Sequence, residues 1–373
     1  MNDSKEKYIP NCDRHNFPYE WTLKDAIFKK DKGTVFSCFA GGGGSTMGYK
    51  LAGFDVIGCN EIDKRMMNLY IENHNPKYAF TEPIQDLKNR DDLPEELYNL
   101  DILDGSPPCS SFSISGKRDK YWGQEKKFRE GQMKQVLDTL FFDFIDLANK
   151  LQPKIVIAEN VKGILYGKAK VYVKRIYEEF DKAGYVLDHY VFDSSKMGIP
   201  QKRERVFFIA VRKDLYPLAK DKYSMGVFDI NTCFTQPVIP YSEIEDITDT
   251  SEVAVGKLSD YWYKVDIGEN FSKKHPKGSY FSHKKLFPDV PVPTILASHG
   301  QGMWNYRTKR VLNIEELIKA SSFPSDYNFC HELTKAREQN NVKYVVGMSV
   351  PPVMVAEVAT RIHTYLLSKI NNA

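Results

Sequence analysis

Short apolar runs alternate with helical patterns along the first 215 residues of the chain. Thr34–Phe39, Phe54–Glu61 and Leu100–Gly105 have the length and apolar content of buried strands, and Lys64–Asn73 has a helical pattern. Strands that alternate with helices favour an α/β fold with a Rossmann-like, doubly wound and mostly parallel sheet.

The same alternation continues through the next part of the chain. Apolar side chains recur at helical spacing over Gln132–Lys150, which predicts an amphipathic helix. The other elements predicted here are strands at Lys154–Glu159, Tyr185–Phe192 and Arg205–Val211 and a helix over Val171–Lys182.

The pattern changes after Val211. Tyr216–Pro293 is rich in Pro, Asp, Ser, Lys and aromatic residues without sustained periodicity, which indicates a smaller irregular or β-rich domain. Helical patterns return at Ile314–Ala320 and Val353–Lys369. We therefore predict a first domain whose main part is 1–215, a second domain at 216–293, and a C-terminal part, 294–373, that packs back on the first domain.

Composition indicates the class of protein and its expected location in the cell. Hydrophobic residues make up 42% and charged residues 27% of the chain, as in ordinary soluble proteins. No signal-peptide core and no run of about 18 apolar residues occurs, so we expect a cytoplasmic protein that spans no membrane. The six cysteines are scattered without a C-x-x-C pair, which disfavours a metal site or a disulfide framework and leaves thiols free to react.

Charge is distributed unevenly although the net charge is only +3. Ser111–Gln135 carries seven Lys or Arg against three acids, and Phe271–Lys285 carries five Lys and no acid. Such runs are often ordinary solvated surface. Because these two are interleaved with aromatic residues, they also suit contact with a phosphate backbone.

A glycine run, FAGGGGSTMG at Phe39–Gly48, follows a predicted strand and precedes a predicted helix. Glycines allow a ligand to approach the backbone, and the start of the helix offers unpaired N–H groups. Glu61, at the end of the next predicted strand, is placed to accept ribose hydroxyls in such a sheet. These features predict an adenosine-containing cofactor, either NAD or S-adenosylmethionine, although a tight turn alone would also need glycine.

Three further groups of polar residues lie at predicted strand ends. They are SPPCSSFS around Cys109, AENVKG around Glu159, and IPQKRERV with Arg203 and Arg205. Two prolines make the backbone before Cys109 stiff and extended, so its thiol is aimed rather than merely packed. In a doubly wound sheet these three loops would converge at one edge as a nucleophile, a proton donor and a cationic clamp.

Together these motifs resemble those of the DNA (cytosine-5) methyltransferase family. FAGGGGSTMG resembles its cofactor loop, SPPCSSFS its Pro-Cys nucleophile, AENVKG its Glu-Asn-Val block and MGIPQKRERVFFIA its Gln-x-Arg-x-Arg block. RVLNIEELIKASSFP and YVVGMSVPPVM resemble its two C-terminal motifs. The resemblance covers about Thr34–Val211 and Pro293–Ile370, in the order of the family.

The resemblance implies an enzyme that transfers a methyl group from S-adenosylmethionine to carbon 5 of a flipped cytosine in a specific double-stranded DNA sequence. Cys109 would add to carbon 6, Glu159 would supply a proton at ring nitrogen 3, and Arg205, with Arg203, would contact the 2-carbonyl oxygen. Ser110–Gln135 would be a mobile loop that closes over the flipped base, and 216–293 would be the target-recognition domain.

The resemblance also implies binding residues. For the cofactor they are Phe39, Ala40, Gly41, Gly43, Gly44, Glu61, Ile62, Ile84, Asp86, Pro107 and Leu140. For DNA they are Ser110, Ser111, Lys117, Arg118, Gln201, Tyr261, Trp262, Lys273, Lys274 and Tyr280.

Several positions depart from the family pattern. Ser37 stands where an Asp is usual, Pro83 replaces the usual acid for the adenine amino group unless Asp86 takes over, and Met348 replaces an Asn. The size of the chain suggests a monomeric bacterial enzyme that is paired with a restriction endonuclease. Two alternatives remain open at this stage, a tRNA cytosine-5 methyltransferase and a catalytically silent nucleic-acid-binding protein of the same fold.

Overall fold

A twisted sheet at the centre of the molecule brings the predicted strands together. The computed structural model describes residues 15–108, 139–167, 169–219, 227, 234–252, 258–297, 302–329 and 335–373, and the backbone of 125–126 and 135–136. Within these residues the sheet has seven strands: β1 (Thr34–Cys38), β2 (Asp55–Asn60), β3 (Tyr78–Phe80), β4 (Ile102–Gly105), β5 (Ile155–Val161), β6 (Tyr185–Asp193) and β7 (Glu204–Arg212).

The strand order is β3-β2-β1-β4-β5-β7-β6. Neighbouring strands from β3 to β5 are parallel, whereas β7 is antiparallel to both β5 and β6. Because β7 alone is reversed, its first residues lie at the same edge as the last residues of β1, β2, β4 and β5. The doubly wound, mostly parallel sheet predicted from the alternating pattern is confirmed.

Alternate side chains of the central strands enter two separate cores, as the two-residue period of a strand requires. On β5, Val156 and Ala158 pack on one face, while Ile155 and Ile157 pack on the other. Strands that are buried on both faces read as continuous apolar runs, which is why the sequence pattern located them.

The helices cover the sheet and connect its strands. They are α1 (Gly44–Leu51), α2 (Lys64–His74), α3 (Ile84–Asn89), α4 (Leu140–Leu151), α5 (Ala169–Lys182), α6 (Tyr216–Ala219), α7 (Tyr241–Ile244), α8 (Ile314–Ala320), α9 (Lys335–Met348), α10 (Pro352–Ile362) and α11 (Ser368–Asn371). Residues of α3, α4 and α5 share one core with the sheet, and residues of α1 and α10 share the other.

One predicted helix is wrong at its N-terminal end. The sequence pattern placed a helix over Gln132–Lys150, but α4 begins only at Leu140. Gln135–Val136 instead pairs as a short antiparallel strand with Glu125–Lys126. The apolar period continues upstream of the helix because Met133, Val136 and Leu137 happen to keep its spacing.

The C-terminal helix α10 packs against α1. The backbone of α10 passes so close to α1 that a Cβ atom at Gly48 would lie 2.5 Å from the carbonyl oxygen of Pro352. Among the described residues, the stretch Gln339–Asn371 is long and apolar enough to cross a membrane, but 72% of its most apolar window is buried inside the protein. Burial of that kind is what a core helix shows.

The segment between β7 and α8 is irregular and shares its cores with the rest of the chain. Its described part contains short helices and the strand His283–Lys285, which pairs with Gly302–Trp304. Its compact apolar cluster is formed by Val265, Phe271 and Trp304. Ile239, Leu286 and other side chains of the segment join a core that also contains residues of α8.

Candidate active site

A cavity lies where β1 to β4 end and the helices that follow them begin. The loop after β1, at residues 39–42, forms one side, and residues after β2, β3 and β4 form the rest together with C-terminal residues. Gly41 has a φ of 50° and a Cβ atom there would meet nothing within 4 Å, so this part of the loop faces open space. The loop therefore leaves room for a ligand beside its backbone.

Glu61 holds the glycine loop through its carboxylate. Oε2 accepts a hydrogen bond of 2.8 Å from the Gly41 N–H, and Oε1 accepts one of 2.8 Å from the Asp63 N–H. Burial raises the pKa of Glu61, and these two backbone donors act in the opposite direction. Asp63 in turn caps α2 by accepting from the N–H groups of Arg65 and Met66.

Seven of the residues predicted to bind the cofactor line this cavity: Phe39, Ala40, Gly41, Gly44, Glu61, Ile62 and Ile84. The other four do not line it: Gly43, Asp86, Pro107 and Leu140. Asp86 is exposed on α3, whereas Leu140 is fully buried at the start of α4. Pro107 is buried, and its carbonyl accepts from the side chain of Asn160.

Two groups stand out among the lining residues that sequence reasoning missed. Glu82 and Pro83 line the cavity beside Ile84, so the acid nearest this position is Glu82 rather than Asp86. The second group comes from the C-terminal part: Tyr344, Val345, Met348, Ser349 and Val350. The block YVVGMSVPPVM was the available signal for this group, because it matched a family motif although no residue in it was assigned to the cofactor.

Glu159 and Arg205 form a buried ion pair at the same edge of the sheet. Arg205 Nε lies 2.9 Å from Glu159 Oε1, and the side chains are only 13% and 11% exposed. The pair forms because β7 runs antiparallel to β5, which places the start of one strand beside the end of the other. Burial raises the pKa of Glu159, while Arg205, Arg203 and the side chain of Ser106 lower it.

The contact with Arg205 leaves the Glu159 carboxylate incompletely hydrogen-bonded. Its Oε1 atom is buried and lies 2.9 Å from Arg205 Nε, but no donor among the described residues meets it with full hydrogen-bond geometry. A buried carboxylate oxygen in that state can still accept a hydrogen bond from a ligand. Burial makes Glu159 harder to ionise than an ordinary carboxyl group, which favours a role in proton transfer.

Arg203 does not lie against the Glu159 carboxylate as Arg205 does. It is 1% exposed, and its guanidinium donates to the carbonyl oxygens of Ile295 and Gly347 at 2.9 Å each. These bonds join the sheet to two segments of the C-terminal part. Arg203 thus positions the chain beside the cavity, and its charge reaches Glu159 only through space.

Gln201 was predicted to contact DNA, but the structure places its side chain inside the protein. Its side chain is completely buried. Its amide donates to the carbonyl of Ala320 at 3.1 Å and accepts from the N–H of Ile295 at 3.2 Å. Both polar atoms are used inside the protein, so Gln201 fixes the same C-terminal segment as Arg203.

Several predicted residues lie outside the described residues: Cys109, Ser110, Ser111, Lys117 and Arg118. Most of the predicted closing loop, Ser110–Gln135, lies outside them too. The chain that leads to Cys109 is described, and both Ser106 and Pro108 line the cavity. The residue that precedes Cys109 is therefore part of the site.

Asp104 and Ser37 form a second polar contact beneath the cavity. They are opposite each other on β4 and β1, and the Ser37 hydroxyl donates to Asp104 Oδ2 at 2.9 Å. Tyr49 donates to Oδ1 at 3.0 Å. Burial raises the pKa of Asp104 to about 7, partly offset by these two donors. The position that departs from the family pattern at Ser37 is thus occupied by a donor to a carboxylate on the next strand.

The predicted DNA-binding residues of 216–293 lie on one irregular part of the structure. Tyr261 and Tyr280 pack together with ring centroids 5.6 Å apart, and Trp262 donates to the carbonyl of Asn305. Lys273 is paired with Glu269 at 2.7 Å, and Lys274 lies 3.6 Å from Asp266. Both lysines are exposed, so these pairs can be exchanged for phosphate contacts.

Comparison with known proteins places the chain in a family. Type II methyltransferase M.DdeI of Desulfomicrobium norvegicum is 28% identical over 382 residues, covering 89% of this chain and 88% of the relative. Type II methyltransferase M.NgoPII of Neisseria gonorrhoeae is 26% identical over 354 residues, covering 88% and 94%.

A solved structure shares the fold. It is a prophage-encoded Escherichia coli protein described as a DNA modification methyltransferase, with a TM-score of 0.59 at 20% identity over 90% of this chain and 99% of that one. The family of C-5 cytosine-specific DNA methylases matches residues 33–364, which is most of the chain. The protein therefore belongs to the C-5 cytosine-specific DNA methylases and is a DNA (cytosine-5) methyltransferase.

Proposed function

We propose that the cavity binds S-adenosylmethionine and that Cys109, Glu159 and Arg205 act on a cytosine flipped out of double-stranded DNA. One observation carries the proposal. The cavity and the Glu159–Arg205 ion pair meet at Ser106–Pro108, the segment that leads directly to Cys109. A methyl donor in the cavity and a base beside Glu159 would then face the same thiol.

The lining suits S-adenosylmethionine. Open space beside Gly41 admits a ligand close to the loop backbone, and Glu61 offers carboxylate oxygens for ribose hydroxyls. Ile62, Pro83 and Ile84 supply apolar surface for a purine ring. When bound, this group supplies an electrophilic methyl.

The residues of the chain perform the remaining chemistry. Only the thiolate of Cys109 is nucleophilic, and its bond to carbon 6 makes carbon 5 electron-rich. Glu159, protonated, gives its proton to ring nitrogen 3 as charge develops there, and Arg205 stabilises the 2-carbonyl oxygen. Once carbon 5 has gained the methyl group, its proton passes to water, and the electron pair of that bond re-forms the ring double bond and expels the thiolate. The proton on ring nitrogen 3 returns to Glu159.

The target base is inaccessible in a stacked duplex, so it must be flipped into the site at a cost of a few kcal/mol. We propose that 1–215 with 294–373 forms the catalytic domain and that 216–293 reads the DNA sequence. Exposed Lys273 and Lys274 beside Tyr261, Trp262 and Tyr280 support this assignment, since basic and aromatic side chains suit phosphates and bases.

The biological setting is part of the same proposal. Type II methyltransferases such as the two relatives act on DNA within restriction-modification systems. We propose that this enzyme acts as a monomer in the bacterial cytoplasm and protects DNA from a partner restriction endonuclease.

Covalent trapping tests the proposal directly. A duplex carrying 5-fluorocytosine at the target, which bisulfite sequencing of DNA from expressing cells would identify, should become covalently attached to the wild-type enzyme in the presence of S-adenosylmethionine. Cys109→Ser should bind the duplex without forming the adduct. Attachment to Cys109→Ser, or methylation of tRNA instead of DNA by mass spectrometry of bases, would contradict the proposal.

A further inference from the structure

The glycine loop is held at two adjacent residues by the two ends of α2. At the first end, Glu61, just before α2, accepts from the Gly41 N–H at 2.8 Å. At the other, the hydroxyl of Tyr327 donates to the carbonyl oxygen of Gly42 at 2.5 Å, and Tyr327 in turn contacts His74, the last residue of α2. Tyr327 is 2% exposed and lies in the C-terminal part of the chain.

The hydrogen bonds around His74 have only one consistent direction. The Gly42 carbonyl can only accept, so the Tyr327 hydroxyl gives it a proton and its oxygen is free to accept from His74 Nε2, 3.2 Å away. His74 Nδ1 is then the acceptor for the Lys50 ammonium at 3.4 Å. Burial, with a smaller contribution from Lys50, keeps the pKa of His74 well below its usual value, which matches the neutral ring.

The loop packs directly on this pair. Gly43 has a φ of 76°, and a Cβ atom there would lie 2.3 Å from His74 Nε2 and 2.9 Å from the Tyr327 hydroxyl. Asn73 and Asn328 also exchange two hydrogen bonds of 2.9 Å, which hold the end of α2 against the segment that carries Tyr327. Residues of α2 and of the C-terminal part thus both pack against the glycine loop, and a side chain at position 43 would clash with His74 and Tyr327.

We propose that Tyr327 is a positioning residue for the methyl-donor cavity: its hydroxyl, oriented by His74, fixes the Gly42 carbonyl and so keeps the loop in the shape that leaves space beside Gly41. The inference rests on the proposed function, in which this cavity takes S-adenosylmethionine. Tyr327 does not line the cavity and acts only through the loop.

Tyr327→Phe in the full chain removes one hydroxyl and leaves the ring. We expect the dissociation constant for S-adenosylmethionine, measured by titration calorimetry, to rise about three- to tenfold, the effect of one lost hydrogen bond. The KM for S-adenosylmethionine should rise equally, while kcat at saturation changes less than about twofold. The matched control is Tyr185→Phe, whose hydroxyl donates to the Pro153 carbonyl at 2.8 Å within the core and away from the loop.

Variants of His74 distinguish its role in orienting the Tyr327 hydroxyl from its role in packing against the loop. Gln can place an N–H donor where Nε2 lies, so His74→Gln should bind the cofactor more tightly than His74→Leu. Equal affinities in Tyr327→Phe, Tyr185→Phe and the wild type would overturn the inference. So would a Gln variant that is no better than the Leu variant.

Hydrogen exchange tests whether Tyr327 supports the glycine loop, and it does so without the cofactor. The amides of the peptide 39–48 should exchange faster in Tyr327→Phe than in the wild type or Tyr185→Phe. Unchanged exchange would overturn the positioning role. If the wild type binds no S-adenosylmethionine, the proposed function fails, while faster exchange would still establish the support of the loop by Tyr327.

Discussion

Two buried glutamates at the same edge of the sheet are held in opposite ways. Both oxygens of Glu61 accept backbone N–H groups, from Gly41 and Asp63, and so shape the cavity. Glu159 instead forms an ion pair with Arg205, whose Nε lies 2.9 Å from its Oε1, and no donor in the described part of the chain meets that oxygen with full hydrogen-bond geometry. We infer that the carboxylate held by backbone donors shapes the cavity, whereas the carboxylate paired with Arg205 is the candidate for contact with a substrate.

The largest expected effect follows from Glu159→Gln. An amide cannot give a proton as a carboxylic acid does, so kcat should fall about 10²- to 10⁴-fold. The affinity for S-adenosylmethionine should stay within about twofold, because Glu159 does not line the cavity. Rate assays with calorimetry would measure both. The control Glu96→Gln removes an exposed pair with Lys77 and should leave both quantities unchanged. A Glu159→Gln enzyme with normal kcat would contradict the role of Glu159 as a proton donor.

Glu61→Gln should have the converse and smaller effect. One of the two backbone donors would meet an amide N–H instead of an oxygen, and a buried unpaired donor is costly, so the affinity for S-adenosylmethionine should fall about tenfold. At saturating cofactor, kcat should change less than about threefold. Asp86→Asn is the matched control, since Asp86 lies on the exposed side of α3 and should have no effect. A loss confined to kcat would mean that Glu61 acts in the chemistry.

The smallest effect extends the comparison to Asp104 on β4, which lies in the sheet between β2, the strand before Glu61, and β5, the strand of Glu159. Its pKa is raised to about 7 by burial, so the folded state binds a proton that the unfolded state releases at lower pH. Its contribution to stability is therefore lost as pH rises from about 4 to about 7. Between pH 5.5 and 8, the Tm of the wild type should fall about 2–4 °C more than that of Asp104→Asn. Parallel Tm curves would show that Asp104 does not titrate there.

The sequence pattern located six of the seven strands, because most of them are apolar runs that end in turn residues. It missed the three-residue β3, which is only partly buried. It also located Glu159 and Arg205, since each lies at a strand end beside a recognisable motif. The family resemblance implied that Gln201 contacts DNA; its burial depends on backbone groups at Ala320 and Ile295, which the sequence around Gln201 does not indicate.

The contacts that hold the glycine loop could not be predicted in the same way. Tyr327 meets Gly42 across 285 residues of sequence, and neither the spacing nor the composition around Tyr327 suggests that contact. The same holds for the residues of the C-terminal part that line the cavity, because they too reach it only through long-range packing. Local patterns specify strands and turns, whereas these contacts arise only after the C-terminal part packs against α1 and α2.

Because Tyr344, Val345, Met348, Ser349 and Val350 line the cavity, its walls are incomplete until the chain has been synthesised past residue 350. A nascent chain that has already formed β1 to β7 lacks this side of the cavity. We expect a product that ends before residue 344 to bind S-adenosylmethionine more weakly than the full chain, because one side of the cavity is missing.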